Sequence, residues 1–244
     1  MPPKVVTSSK SAQTLTAWSY STYTAYIRCP LSIFFEKILR IRIAEPPNPH
    51  FEKGNLVHKA AEEHITAKKA PKLIPELASV TTHLKLFRKL KAAVEQEWTF
   101  DNAFNITSWF APNAWLRMKV DVCAVEPKEA LVQIVDWKTG RIHDEHKQQR
   151  SLYALGGLQL IQLGQLLPPE LKKAAKITVE HVYTDTTQAA KEEFTMKQLK
   201  PLKDEWLRRI RTMMMDTKFP SKPGFHCRYC KFRKSNGGPC KENQ

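Results

Sequence analysis

The chain has no apolar stretch approaching the ~18 uninterrupted residues of a membrane-spanning helix. Its N-terminus also lacks the charged, apolar, cleavable pattern of a secretory signal. Both absences lead us to expect a protein that works in the cytoplasm, or in a host's cytoplasm if a phage carries the gene. No GxxxxGK[ST] occurs, so the chain cannot drive itself along a polymer by P-loop ATP hydrolysis and would need a helicase or recombination partner for that. Nothing repeats at a period of roughly 20–50 residues, which excludes a solenoid or propeller. Acidic residues are scarce: 24 Asp and Glu face 39 Lys and Arg, a net charge of +15. That surplus suits a polyanion such as nucleic acid, although a Lys-rich surface also serves solubility alone. Five cysteines in a reducing compartment make poor disulfide staples, so their spacing is read for metal or cluster chemistry.

What is present is enough apolar residue, 42% of 244, for a sizeable core. The first nineteen residues are acid-free and Ser/Thr-rich but lack the arginine of a transit peptide, so residues 1–17 read as a flexible tail. A helix is expected from about Ser21 to Leu39, with Tyr23, Tyr26, Ile27, Phe34 and Ile38 inward and Pro30 as a kink or break. Beyond the Pro-rich "AEPPNPHF", two Lys-rich helical patterns extend through "AVEQEW", giving a helical insertion over residues 55–100. The period then changes. "AWLRMKVDVCAVE" and "ALVQIVDWK" read as an antiparallel hairpin turning near Pro127 and Lys128, which sets Asp121 opposite Ile134 and diagonal to Asp136. A helix with Leu152, Leu155, Leu158 and Ile161 on one stripe follows, then a strand at "KITVEHVYTD". "EEFTMKQLKPLKDEWLRRIRTMMMD" reads as a long amphipathic helix with Trp206, Ile210 and Met213 inward.

Asp136 and Lys138 are two apart on a strand, so they share a side that Val135 and Trp137 do not. With Asp121 on the neighbouring strand, two carboxylates crowd together in apolar surroundings, and a divalent cation relieves their repulsion. Hard oxygen ligands suit Mg²⁺ or Mn²⁺, which grip phosphate oxygens and activate water. An isolated D-x-K is more often a hairpin-end salt bridge, here between Asp136 and Lys138. His58 with Glu62, and Gln149 with Tyr153, are four apart and can share a helix face.

These features stand in one order, and that order resembles the PD-(D/E)XK nuclease superfamily. The resemblance is to its RecB-like branch, with the CRISPR-associated adaptation nucleases and stand-alone single-strand exonucleases. "YSTYTAYIRCP", "GNLVHKAAEE", "KVDVCAV", "IVDWKTG" and "QRSLYAL" are similar to that branch's successive motifs. The resemblance implies an α/β fold: a restriction-endonuclease-like core with a central mixed β-sheet flanked by helices, an N-terminal helical region and a Cys-rich C-terminal cap. It implies His58, Asp121 and Asp136 as Mg²⁺ or Mn²⁺ ligands, Lys138 as the catalytic lysine, and Gln149 and Tyr153 as residues that contact substrate or position the lysine. It also implies a metal-dependent exonuclease acting on single-stranded DNA ends, in repair, recombination or phage DNA metabolism. The nuclease domain would then cover residues 18–216.

Cys227, Cys230 and Cys240 form C-x2-C-x9-C in a segment, 217–244, too poor in apolar residues to fold by burial. The resemblance supplies the fourth ligand, Cys29, and implies a [4Fe-4S] cluster clasping this segment to the N-terminal helix. The nine-residue interval is longer than the branch's usual one, and zinc with His226, or no metal, stays open. Cys123 reads as a core residue. The basic, aromatic runs "HLKLFRKLKAAVEQEWTF" and "CRYCKFRK" are expected to provide phosphate contacts and stacking surfaces. Two other readings are a non-catalytic nucleic-acid-binding module and a structural subunit of a recombination complex.

Overall fold

A computed structural model describes residues 14–44, 48–186 and 188–242, so the expected tail lies almost wholly outside the described residues. The chain divides into two compact units, one formed by Met1–Glu45 with Arg208–Gln244 and the other by Pro46–Leu207.

The smaller unit joins the two ends of the chain. Helix α1 (Tyr20–Arg28) starts at Ser19, whose hydroxyl accepts the Thr22 N–H and so satisfies one of the free donors of a helix start. Cys29 is extended, with φ −160°, and Pro30 opens α2 (Pro30–Ile33) at the position where a missing N–H costs nothing. A π-turn over Phe34–Ile38 follows. The single helix expected from Ser21 to Leu39 is thus three segments, and Ile27 is exposed rather than inward. The C-terminal segment lies along these helices. Phe219 packs on Phe34 and Phe232 on Phe35, each at 5.5 Å between centroids, and the Tyr26 hydroxyl donates to Asp216 at 2.7 Å.

In the larger unit, α3 (Pro49–Thr66) and α4 (Thr81–Lys89) precede a sheet of five strands in sequential order: β1 (Ala93–Phe100), β2 (Leu116–Glu126), β3 (Leu131–Lys138), β4 (Lys176–Tyr183) and β5 (Ala189–Thr195). Pairings are antiparallel except β3 with β4. Helix α5 (Glu145–Gln162) makes the crossover between those two parallel strands, as parallel pairing requires. Alternate β3 residues face opposite layers. Val135 and Trp137 join Val57, Ala61, Leu84 and Phe87 of α3 and α4, while Ile134 lies under Gly157 of α5. This is the α/β core of a mixed sheet flanked by helices that the sequence led us to expect. The last helix, α6 (Leu199–Met215), whose residues from Arg208 on belong to the smaller unit, buries Trp206, Ile210 and Met213 as expected.

Two stretches read as helix lie in edge strands: "AVEQEWTF" is β1, and "EEFT" is the end of β5, so the helical part of residues 55–100 ends near Lys89. The hairpin register also differs, with Cys123 rather than Asp121 opposite Ile134. The turn is longer than two residues, because a 3-10 turn over Pro127–Glu129 is followed by Ala130 in the left-handed region at φ 47°.

A Cβ on Gly157 would lie 2.7 Å from Ile177 Cδ1 and 3.0 Å from Ile134 Cδ1, so this helix sits as close to the sheet as a residue without a side chain permits. Gly157→Val is expected to lower stability by about 1–3 kcal/mol through overpacking, read as a lower urea midpoint. Gly157→Ala is expected to change it far less, because gained helix propensity offsets the crowding.

Candidate active site

The site is built where the sheet opens. The β2–β3 ladder runs from Glu126↔Leu131 to Val122↔Val135 and stops there, while β2 continues paired to β1 and β3 to β4. Asp121 and Asp136 are the next residues on the two separating strands. Backbone groups freed by such a fork need other partners, and site side chains supply them. The Trp137 N–H donates to Asp121 Oδ2 at 2.8 Å, and the Tyr153 hydroxyl lies 2.9 Å from Lys119 O.

Two clusters result. In the first, His58 of α3 places Nδ1 3.3 Å from Asp121 Oδ2 and Nε2 3.0 Å from Trp137 O. A carbonyl can only accept, so Nε2 carries a proton and donates it, leaving Nδ1 of the neutral ring as a lone pair aimed at a carboxylate. Glu95 completes the group: ligating atoms of His58, Glu95 and Asp121 all lie within 4.8 Å of one another. Three acceptors facing each other repel unless a proton or cation lies among them. A histidine whose second nitrogen donates to a backbone carbonyl is the usual arrangement of a metal-ligating imidazole. Glu95 sits on β1 where the β1–β2 register skips a pair, at φ 48°. That strained backbone turns its carboxylate toward Asp121. Asp136 is not in this set.

In the second cluster, Asp136 is buried and Lys138 Nζ approaches its Oδ2 to 2.6 Å. Gln149 Oε1 accepts from Lys138 Nζ at 2.9 Å, and Gln149 Nε2 donates to the Tyr153 hydroxyl at 2.9 Å. That hydroxyl also lies 2.9 Å from Asp136 Oδ1, and its single proton serves either Asp136 or Lys119 O at one time. His181, fully buried on β4, has Nε2 3.9 Å from Asp136 Oδ2.

The two carboxylates differ in charge because their neighbours differ. Burial, and then the field of Asp136, push Asp121 up to about 6, against the pull of His58 and the Trp137 N–H. Burial opposes charge on Asp136 as well, but Lys138 outweighs it and holds that carboxyl below its ordinary range. Burial works against charge on His58, yet Asp121 holds its pKa above the usual value. Burial lowers His181 to about 3 and His146 to about 4, so both rings are neutral. Tyr153, buried and beside Asp136, stays protonated.

A groove of about 670 Å³ opens onto the first cluster, lined by His50, Phe51, Asn55, Lys59 and Lys119 among others. Asp185 pins the turn after Lys138 to α3, bonding Lys53 Nζ at 2.7 Å and the Gly140 N–H at 3.0 Å.

The structure thus gathers His58 with Asp121, and Asp136 with Lys138, Gln149 and Tyr153. It adds Glu95, which helical periodicity had hidden, since a residue read as part of a helix tail has no reason to lie beside Asp121. Cys123 is a core residue, its thiol pushed up to about 12 by burial. In the smaller unit, Cys29, Cys227, Cys230 and Cys240 line one pocket together with His226. Burial raises the Cys230 thiol, and Cys240, Cys29 and Cys227 are near enough to raise it further. The long interval closes because Gly237 takes φ 77°, Gly238 packs against the Phe232 backbone, and Cys240 N–H returns to Phe232 O. Of the two basic runs, the first offers no stacking surface, since Phe87, Trp98 and Phe100 are core residues. In the second, Phe232 is buried, while Tyr229 and nearby Phe225 are exposed at 76% and 70% with Arg228 against both rings.

A search of curated proteins found no match. Among solved structures, the chain is similar to one described as "Crystal structure of SSO0001", at 12% identity and a TM-score of 0.39, over 95% of this chain and 90% of that one. The family model of the PD-(D/E)XK nuclease superfamily matches residues 17–235. That match spans the α3 histidine, the forked strands and the Gln-Tyr helix, and the chain belongs to the PD-(D/E)XK nuclease superfamily.

Proposed function

We propose that this nuclease is a Mg²⁺- or Mn²⁺-dependent deoxyribonuclease that digests single-stranded DNA from its ends. The observation that carries the reading is the convergence of His58 Nδ1, Glu95 and Asp121 on the groove floor, with Asp136 and Lys138 on the strand across the fork. His58, Asp121 and Glu95 would hold the ion, with Asp136 the further carboxylate available to it. When bound, a divalent cation neutralises a phosphodiester and lowers the pKa of water. Lys138, held by Gln149, offers an ammonium to the charge that builds on the phosphate during cleavage. Gln149 and Tyr153 keep Asp136 and Lys138 in place. Support for single strands comes from the exposed Phe225 and Tyr229 rings around Arg228, in a stretch, 217–242, with seven Lys and Arg against one acid. Rings of this kind stack on any unpaired base.

For the cysteines we propose a [4Fe-4S] cluster on Cys29, Cys227, Cys230 and Cys240. What supports the reading is that the four cysteines line one pocket and an N–H of Gly224 points at Cys227 Sγ from 3.4 Å. When bound, a cluster supplies covalent tethers to a segment that buries little apolar surface.

Purified protein with Mg²⁺ or Mn²⁺ is expected to shorten end-labelled single strands, and EDTA to stop it. Asp136→Ala or Lys138→Ala should each slow digestion at least about 100-fold, with oligonucleotide binding in EDTA nearly unchanged. Digestion at the wild-type rate by either variant would reject the site, and 5′- or 3′-blocked strands report direction.

The burial of Asp121, with the repulsion of Asp136 added, gives a second expectation. A carboxyl raised above its unfolded value keeps its proton when the unfolded chain has lost it, so metal-free stability falls as pH rises from about 4 to about 6 and stays lower above. Asp121→Asn removes that loss. It is expected to stabilise the metal-free protein by about 1–2 kcal/mol at pH 8 and hardly at all near pH 4, in urea titrations with EDTA. Added Mn²⁺ should stabilise the wild type and leave the variant nearly unmoved.

Protein prepared without oxygen is expected to be brown, with broad absorbance at blue wavelengths that Cys230→Ser removes. A colourless protein with one zinc per chain would replace the cluster by zinc.

A further inference from the structure

Four polar side chains from four elements run in a line through the larger unit, ending at Asp136. Glu192 of β5 accepts from Arg150 Nη2 of α5 at 2.9 Å. Arg150 Nη1 lies 3.5 Å from His181 Nδ1 of β4. His181 Nε2 lies 3.9 Å from Asp136 Oδ2 of β3. Arg150 is 7% exposed and His181 0%. Burying a guanidinium and an imidazole is costly unless each is held by specific partners, and packing alone would have been served by apolar residues.

The chemistry of the line fixes the tautomer of the histidine. A guanidinium has donors only, so Nδ1 must be the acceptor, and the neutral ring then carries its proton on Nε2. That hydrogen faces Asp136 Oδ2. Among the described residues Nε2 has no hydrogen-bond partner, and 3.9 Å is too long for one. Asp136 Oδ2 in turn has Lys138 at 2.6 Å but no well-angled hydrogen bond. The ring is not free to turn away, because His146 and Tyr153 stand edge-on to it at 5.5 and 6.5 Å between centroids.

A lysine that turns to a phosphodiester leaves Asp136 Oδ2 without its nearest donor, whether or not an ion also holds that carboxylate. We infer that His181 is a positioning residue, whose Nε2–H, oriented by Arg150 and Glu192, takes Asp136 Oδ2 when Lys138 turns to the substrate. The gap then closes by about 1 Å to an ordinary hydrogen-bond length, and Asp136 keeps its direction. The inference rests on the proposed roles of Asp136 and Lys138, and its tests separate the two.

The first test needs no activity. In metal-free protein labelled with ¹⁵N-histidine, His181 is expected to show the Nε2–H tautomer, and Arg150→Met to replace it with exchange between tautomers. An Nδ1–H or doubly protonated ring in the wild type would overturn the inference. The second is kinetic. His181→Leu is expected to lower the single-turnover rate of single-strand digestion about 10–100-fold, the usual effect of losing such a supporting partner. KM and oligonucleotide binding in EDTA should hold, and His181→Gln, which returns a donor near Nε2, should recover most of the rate. A purely structural histidine would instead lower the melting temperature of His181→Leu and leave kcat alone, and that result, or wild-type cleavage by the variant, sinks the proposal. A wild-type protein that digests no DNA defeats the functional reading instead, and the tautomer then decides the role of His181 by itself.

Discussion

The site depends on the place where two strands part. β2 and β3 stop pairing after Val122↔Val135, and a sheet interior that would otherwise be closed gains an opening flanked by Asp121 and Asp136. Had the ladder continued, the Trp137 N–H and the Lys119 carbonyl would have remained available to strand partners. Instead Asp121 and Tyr153 approach them, so the side chains that shape the site also satisfy the backbone at the fork. Structure and chemistry are coupled at this point: loosening either residue also strands a buried backbone group, at about 1–3 kcal/mol each.

Two carboxylates at one fork cannot be stabilised in the same way. Asp136 has an ammonium, a phenol and an imidazole around it, and is held ionised. Burial, and then the field of Asp136, raise the pKa of Asp121 against the pull of His58 and one backbone N–H. The fold thus separates a carboxylate held ionised from one whose ionisation is opposed. The latter faces Glu95 and the groove. In metal-free protein that asymmetry costs stability, a cost commonly concentrated at functional sites.

Much of this was legible in the sequence, for reasons tied to particular residues. Spacing two on a strand put Asp136 beside Lys138, and spacing four on a helix put Gln149 beside Tyr153, because neither relation depends on register or on distant packing. Register did depend on the turn, and Ala130 in a left-handed conformation lengthened it beyond what "EPKE" suggests. Glu95 was hidden for a different reason. "AVEQEW" has charged or amide side chains at three of its six positions and no alternation, because an edge strand is wet along one border and needs no apolar face there. Its left-handed φ at Glu95 breaks the period of two at the residue that matters most. The end of β5, "EEFT", reads as part of the following helix by the same logic. The aromatic residues of the first basic run were misjudged because amphipathic helices and half-buried strands both interleave Lys with rings that point inward.

The cysteine segment shows how a long interval between two cysteines is taken up locally. What a multi-cysteine site requires is the position of the last sulfur, not the number of residues before it. The loop between Cys230 and Cys240 folds into a 3-10 turn over Lys234–Asn236 and reverses at Gly237, where a side chain would be strained. Gly238 then lies so close to the Phe232 backbone that a Cβ would overlap it. The extra residues are thereby taken up in a hairpin-like excursion, and Arg233 and Cys240 end side by side in a parallel bridge. Adjacent Gly237 and Gly238 do different work here, one through φ and the other through contact.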